Sequence, residues 1–235
     1  QLLTEDGVFI FEVSYILDMI DHLVFDTIYH EHVSHHALVP LEKFFNTLDM
    51  TLFEVKRVNS KGGSIRGFAQ IASTGKRPQS AQLLAMMAEE KRRKLFNVKI
   101  YQEFFLSIEQ CKQLILAYLD KAIKAGKTVA AYGASTTTTT LLYHFELGAH
   151  ISYIVDDNPL KQGLFSPGFH IPVVPSSELQ IRKPDIVIIL AWIYADVIIE
   201  KNKNFIDQGG EFLIPLPSMR VVARQPMQVV ATLAE

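Results

Sequence analysis

The fold of this chain is decided by the segment KTVAAYGASTTTTT, residues 127–140. It reads as a short buried strand, a turn at Gly133 and the start of a helix, in the order expected of a β-α unit. Further strand-like runs follow at residues 151–155, 186–190 and 211–214, with a helical stretch at 194–207. Strands that alternate with helices form parallel sheets, so residues 126–235 are predicted to be a Rossmann-like domain.

The residues before position 126 divide into two regions. Residues 80–125 contain neither Pro nor Gly, and their apolar side chains recur at spacings of three and four, which predicts one or two long amphipathic helices. Residues 1–73 carry strand-like runs at 8–13, 51–58 and 64–71, and we interpret the first as a buried strand of a parallel sheet. The resulting α/β prediction has a partial domain at 1–75, a helical connector at 76–125 and the Rossmann-like domain at 126–235.

Composition narrows the class of partner. The 235 residues are 49% hydrophobic, and 23 basic residues balance 25 acidic ones without a block of either sign. The chain therefore lacks the basic patch typical of proteins that bind nucleic acids or anionic membranes. Small molecules are the expected partners. No stretch approaches the roughly 20 apolar residues that span a bilayer. Cys111 is the only cysteine, which favours a reducing cytoplasm.

The densest group of chemically active side chains is YHEHVSHH, residues 29–36. Its imidazoles, phenol and carboxylate can act as general acids or bases near neutral pH. The alternatives are a solvated loop whose histidines only cap and pack, and a metal site. A metal would need ligands from elsewhere, because four histidines so close in sequence cannot close a site alone.

Two glycine turns are candidate binding segments. In KGGSIR, residues 61–66, the glycines let backbone approach a ligand and Arg66 offers a fork for phosphate or carboxylate, although a hairpin turn fits equally well. At residues 131–136 the amides of a helix N-terminus and the hydroxyls of Ser135 and Thr136 could hold an anion. Asp156, after the next strand, lies where a ribose partner is expected. Threonines replace the later glycines of the dinucleotide fingerprint, so an NAD site is not predicted.

These segments, taken in order, resemble the sugar C-methyltransferase family of deoxysugar biosynthesis. The resemblance covers nearly the whole chain and rests on FEVSY (11–15), YHEHVS (29–34), GGSIR (62–66), YGAST (132–136), DDNPLKQG (156–163), the 167–172 loop, Trp192 and residues 209–217. It implies transfer of a methyl group from S-adenosylmethionine to a carbon beside the ketone of a nucleotide-linked keto-deoxysugar.

The resemblance also assigns roles to residues. His32 would be the base that removes the proton, with Tyr29 and Glu31 orienting it or polarising the ketone. The remaining implied residues share one role, contact with the nucleotide-sugar: Ser64, Arg66, Tyr132, Gly133, Ser135, Thr136, Asp156, Asn158, Lys161 and Trp192. In that family a zinc module and a glycine-rich donor domain come first. We therefore expect the sequence to start late in the donor domain, with an incomplete S-adenosylmethionine site and with structural zinc confined to the missing module.

Two departures from the family pattern keep other functions open. Relatives commonly carry Lys or Arg followed by Gly-Asn where this chain has threonines at 137–139, and aromatic residues where it has His35 and His36. A non-catalytic nucleotide-sugar-binding or partner protein is the first alternative, and a metal-dependent hydrolase built on the His cluster is the second. The sequence leaves open which sugar and nucleotide are bound, the stereochemistry and the oligomeric state.

Overall fold

A computed structural model describes residues 3–224 and 228–229. Residue contacts divide the chain into two compact units. Unit 1 comprises Gln1–Phe25 and Glu31–Leu106, and unit 2 comprises Asp26–His30 and Ser107–Glu235. In the described residues no helix is both long enough and apolar enough to cross a membrane.

Unit 1 is built on a small antiparallel sheet. Its strands are β1 (Phe9–Ser14), β2 (Met50–Val58) and β3 (Ser64–Ile71), in the order β1-β3-β2 among the described residues. Both neighbours of β3 run antiparallel to it. The prediction that the first run belongs to a parallel sheet is therefore wrong. The physical reason is that β1 is only partly covered, and antiparallel sheets tolerate such exposure whereas parallel sheets are buried on both faces.

Three helices complete most of unit 1: α1 (Ile16–Asp21), α2 (Leu38–Asn46) and α3 (Ala81–Arg92). Ser80 caps α3 by accepting the Leu83 amide at 3.2 Å, as its residue type favours. The start of α2 has no side-chain cap of its own. Fully buried Glu90 from α3 supplies one, because its two oxygens accept the backbone amides of Leu38 at 2.6 Å and Val39 at 3.0 Å.

The second long helix of the 80–125 region is α4 (Val98–Lys124), which has 27 residues. Together with α3 it confirms the helical prediction for this stretch. The boundary between the two units falls within α4, after Leu106.

Unit 2 alternates strands and helices. Its regular elements are β4 (Val129–Tyr132), α5 (Thr136–His144), β5 (Ile154–Val155), β6 (Val173–Val174), α6 (Glu178–Arg182), β7 (Ile186–Ile189), α7 (Ala195–Lys201), α8 (Lys203–Asp207), β8 (Glu211–Ile214), β9 (Arg220–Val222) and β10 (Gln228–Val229). The predicted helix at 194–207 is present as α7 and α8, interrupted at Asn202.

Within the described residues the sheet of unit 2 has the order β10-β9-β8-β7-β4-β5-β6. Every pairing from β8 to β6 is parallel, and only β9 and β10 run antiparallel. All four residues of β4 and of β7 are buried, as central parallel strands require. The α/β class with a Rossmann-like parallel sheet is confirmed.

Candidate active site

The His-rich segment of unit 1 lines a cleft of about 440 Å³. Three parts of the unit form its walls: the end of β1, the segment that begins at Glu31, and the turn between β2 and β3. Its lining residues are Glu12, Val13, Ser14, Glu31, His32, Val33, Ser34, His36, Ser60, Lys61 and Ser64. Three predicted residues therefore share one cavity: Glu31, His32 and Ser64.

His32 is half-buried at the cleft and packs edge to face on His35, with ring centroids 6.3 Å apart. The pKa of His35 lies below its usual value, first because burial disfavours its charged form and then because His32 and His36 lie nearby. Burial likewise lowers the pKa of His36. Two of the neighbouring imidazoles are thus held toward the neutral form, which limits the positive charge around His32.

Arg66 does not offer its guanidinium to a ligand in the way the sequence suggested. Its Nη2 and Nε donate to one carboxylate oxygen of Glu12, at 2.7 and 3.0 Å. The other oxygen of Glu12 accepts the Ser60 hydroxyl at 2.7 Å. The hydrogen bond from Ser60 and then those from Arg66 lower the pKa of Glu12, so its carboxylate stays ionised. Ser64 is buried, and its hydroxyl donates to the Ser60 carbonyl at 3.1 Å.

Tyr29 belongs to the 26–30 segment of unit 2, so the YHEH motif divides between the units after His30. Tyr29 is half-buried and meets His30 edge to face, at 5.9 Å between ring centroids. Hydrogen bonds to side chains of unit 2 hold the segment in place. Asp26 accepts the Trp192 indole N–H at 3.0 Å, and the Thr140 hydroxyl donates to the Ile28 carbonyl at 3.2 Å.

Trp192, expected to contact the nucleotide-sugar, is thus a buried anchor for Asp26 in this structure. Asp26 itself is 1% exposed, and its buried Oδ1 has no hydrogen-bond partner within the part of the chain that the structure describes. Burial raises the pKa of Asp26 to about 6, although the Trp192 hydrogen bond opposes the rise.

The turn after β4 has the backbone shape that the sequence predicts. Gly133 has φ +101°, in the left-handed region, and a Cβ there would come within 2.5 Å of the Ala191 Cβ. The next amide, Ala134 N–H, donates to Asp156 Oδ2 at 2.7 Å. Asp156, the expected ribose partner, is buried and also accepts the Asn158 amide at 2.8 Å. Its carboxylate therefore occupies one of the amides that a phosphate would use.

At the start of α5 a backbone amide is likewise taken by a side chain of the protein itself. Ser135 and Thr138 form a capping box, in which the Ser135 amide donates to the Thr138 hydroxyl at 3.1 Å. The predicted contact Thr136 is exposed at the first helical position. A helix N-terminus that is satisfied by its own side chains offers fewer donors to an incoming anion.

Beside this turn lies a second cavity, of about 160 Å³, within unit 2. It brings together two predicted residues, Ser135 and Lys161, with Thr139 and the loop around Phe165 and Ser166. The Lys161 ammonium lies 3.3 Å from Asp156. Asn158 is exposed, and its side chain accepts the Leu160 amide at 3.0 Å, which shapes the loop after β5.

Tyr132 lies outside this cavity and belongs to a separate polar chain. Its hydroxyl donates to Asp157 at 2.7 Å, and Asp157 pairs with Lys201 at 2.6 Å. Burial and the hydrogen bond to Asp157 raise the pKa of Tyr132, so the phenol stays protonated.

Several residues of the clefts were given no role of their own in the sequence analysis. Glu12, Ser60 and Lys61 line the unit 1 cleft, and Thr139 lines the unit 2 cavity. A sequence signal for Lys61 exists, since it directly precedes Gly62 and Gly63, but the guanidinium fork of Arg66 is the more typical anion ligand. Among the described residues no group of three or more His, Cys, Asp or Glu side chains is placed to hold a metal ion.

Comparison with known proteins shows which family the chain belongs to. Residues 59–217 match the family described as C-methyltransferase C-terminal domain. The chain belongs to this C-methyltransferase family. It is also 35% identical over 225 residues to the C-methyltransferase NovU of Streptomyces niveus, a match that covers 95% of this chain and 53% of that protein. The chain thus spans about half the length of the curated C-methyltransferase that it matches.

Proposed function

We propose that this protein acts in S-adenosylmethionine-dependent methyl transfer to a carbon beside the ketone of a nucleotide-linked keto-deoxysugar. The observation that carries the proposal is the unit 1 cleft, where His32 stands with Glu31 and Ser64 in a cavity large enough for a sugar ring. Membership of the C-methyltransferase family supplies the reaction class. Small-molecule partners and a cytoplasmic location belong to the same proposal.

In this mechanism His32 takes the proton from the carbon beside the ketone, which gives an enolate. Burial lowers the pKa of His35 and His36, so these neighbours tend toward the neutral form and add little positive charge beside the proposed base. Glu31 lines the cleft beside His32, and Tyr29 precedes it by three residues; we assign both to orientation of the base or polarisation of the ketone.

We propose that the methyl donor binds outside unit 1. The sheet of unit 1 is antiparallel, so it lacks the strand, glycine loop and helix that hold adenosine groups in parallel sheets. The chain covers 53% of NovU, and we propose that the donor is held by a part of the protein corresponding to the rest of that relative.

Unit 2 is proposed to bind the nucleotide end of the substrate. Its cavity offers the Lys161 ammonium and the hydroxyls of Ser135 and Thr139. Because the Ala134 amide and the Ser135 amide already have partners, we assign diphosphate recognition to these side chains rather than to the start of α5. Binding energy from this end would serve to position the sugar.

The test separates base catalysis from methyl transfer. The protein as its complete gene encodes it is mixed in D₂O with a dTDP-4-keto-6-deoxyhexose, without donor, and deuterium uptake beside the ketone is followed by NMR. His32→Ala should abolish uptake and turnover while leaving dTDP-sugar affinity unchanged in calorimetry. His30→Ala removes the neighbouring imidazole of the same motif as a control. Retained uptake in His32→Ala removes His32 from the base role.

The alternatives predict other results. A non-catalytic binding protein would bind the dTDP-sugar but show neither uptake nor methyl transfer. A metal-dependent hydrolase would purify with stoichiometric metal that is lost on substitution of His30, His32 or His35.

A further inference from the structure

The turn between β2 and β3 holds one lysine over the unit 1 cleft. Three consecutive residues take positive φ: Lys61 at +50°, Gly62 at +88° and Gly63 at +133°. A lysine in the left-handed region is uncommon and needs surrounding structure to hold it there.

The turn is fastened at several points within unit 1. The Gly63 amide donates to the Ser60 carbonyl at 2.9 Å, and the Gly63 carbonyl accepts the Tyr15 amide at 3.3 Å. A ring nitrogen of His22 lies 3.2 Å from the Gly62 carbonyl. A Cβ on Gly63 would overlap the Asp18 side chain, so the turn lies directly on α1. This close packing fixes the position from which Lys61 projects.

Lys61 also differs from the other cation near this cleft. Arg66 is paired with Glu12, whose second oxygen is taken by Ser60. Lys61 is exposed and close enough to Glu12 to help lower the pKa of that carboxyl, yet it forms no salt bridge with a described residue. It is also the only Lys or Arg among the described residues that line the cleft. Its ammonium is therefore available for negative charge that develops inside the cavity.

We propose that Lys61 stabilises the enolate formed in this cleft, an inference that rests on the proposed function. As His32 takes the proton from carbon, the C–H electron pair forms the enolate and negative charge gathers on the ketone oxygen. The Lys61 ammonium donates a hydrogen bond to that oxygen and keeps its own protons. The enolate carbon then bonds to the donor methyl, the methyl–sulfur electron pair stays on sulfur, and the ketone is restored. A charged donor in a partly enclosed site favours the charged state over the neutral ketone.

The test is the same donor-free deuterium uptake, measured for Lys61→Met against wild type. We expect the uptake kcat to fall about 100-fold, the usual effect of removing one oxyanion donor, with KM changed less than about 2-fold. Lys61→Arg keeps the charge and should recover part of the rate. Lys94→Met is the matched control, since Lys94 is an exposed lysine of unit 1 with φ +54°.

The outcomes distinguish the two proposals. Uptake by wild type with an unchanged rate in Lys61→Met overturns the role of Lys61 and leaves His32 as base. A raised KM with unchanged kcat also overturns it, because Lys61 would then bind an anionic part of the substrate. Absence of uptake in wild type defeats the proposed function and the Lys61 role together. Equal urea midpoints for the three variants and wild type show that the fold is intact.

Discussion

Replacing Gly133 by Ala tests whether the turn after β4 has the geometry described above. Two costs add at this site. The left-handed backbone at φ +101° costs about 1–2 kcal/mol for a residue with a Cβ. The new methyl group would also stand 2.5 Å from the Ala191 Cβ and 3.0 Å from its backbone nitrogen. Overpacking against fixed atoms costs about 1–3 kcal/mol, so a total of about 2–5 kcal/mol is expected.

Gly209→Ala isolates the first cost. Gly209 has φ +97°, yet nothing lies within 4 Å of the position that its new methyl group would take, so only the backbone penalty of about 1–2 kcal/mol applies. The single tryptophan, Trp192, is buried in unit 2 beside Ala191 and reports unfolding of that unit by fluorescence. In urea titrations Gly133→Ala should unfold with a free energy about 1–3 kcal/mol lower than Gly209→Ala. Equal values for the two variants would refute the close approach to Ala191.

Two further predictions concern buried carboxylates. Asp26→Asn should stabilise the protein by about 2–3 kcal/mol at pH 8, because burial raises the pKa of Asp26 to about 6 and the folded state then holds an ionised side chain at a cost. That cost is lost as pH falls through 6, so the two proteins should have similar urea midpoints below about pH 4; a difference that is independent of pH would contradict the pKa argument. Glu90→Ala should lower stability by about 2–5 kcal/mol, since the amides of buried Leu38 and half-buried Val39 lose their acceptors, and Glu90→Gln should lose less. Circular dichroism melts check this, and an unchanged melting temperature in Glu90→Ala would show that water replaces the cap.

Local sequence patterns predicted most of the fold. β8 and β3 begin and end where the patterns placed them, at 211–214 and 64–71, and the helices of the 80–125 region are present. The direction of β1 was not predictable from its apolar run, because direction depends on pairing with β3, which lies 50 to 60 residues later in the chain. Such a pairing leaves no trace in a short window of sequence.

The candidate site shows the same limit. The resemblance assigned roles to Glu31, His32 and Ser64, but their meeting in one cleft was not predicted, because Ser64 lies more than 30 positions from the other two. The Arg66 guanidinium was expected to be unpaired because its partner, Glu12, lies 54 residues earlier in the sequence. Asp156 looked like a ribose ligand because the amide it accepts, that of Ala134, is 22 residues earlier. Residue type indicates what a side chain can bind, and the tertiary fold decides what it does bind.

The carboxylate of Asp156 can be regarded as an intramolecular competitor for the turn after β4. It brings to the Ala134 amide the negative charge that a phosphate would otherwise bring, and it is tethered, so its effective concentration is far above that of a free metabolite. Because this carboxylate already holds the Ala134 amide, the turn disfavours ligands that would bind through that amide. A dinucleotide would lack the backbone amide that usually binds its phosphate, so a ligand at this turn must take its binding energy from the neighbouring side chains.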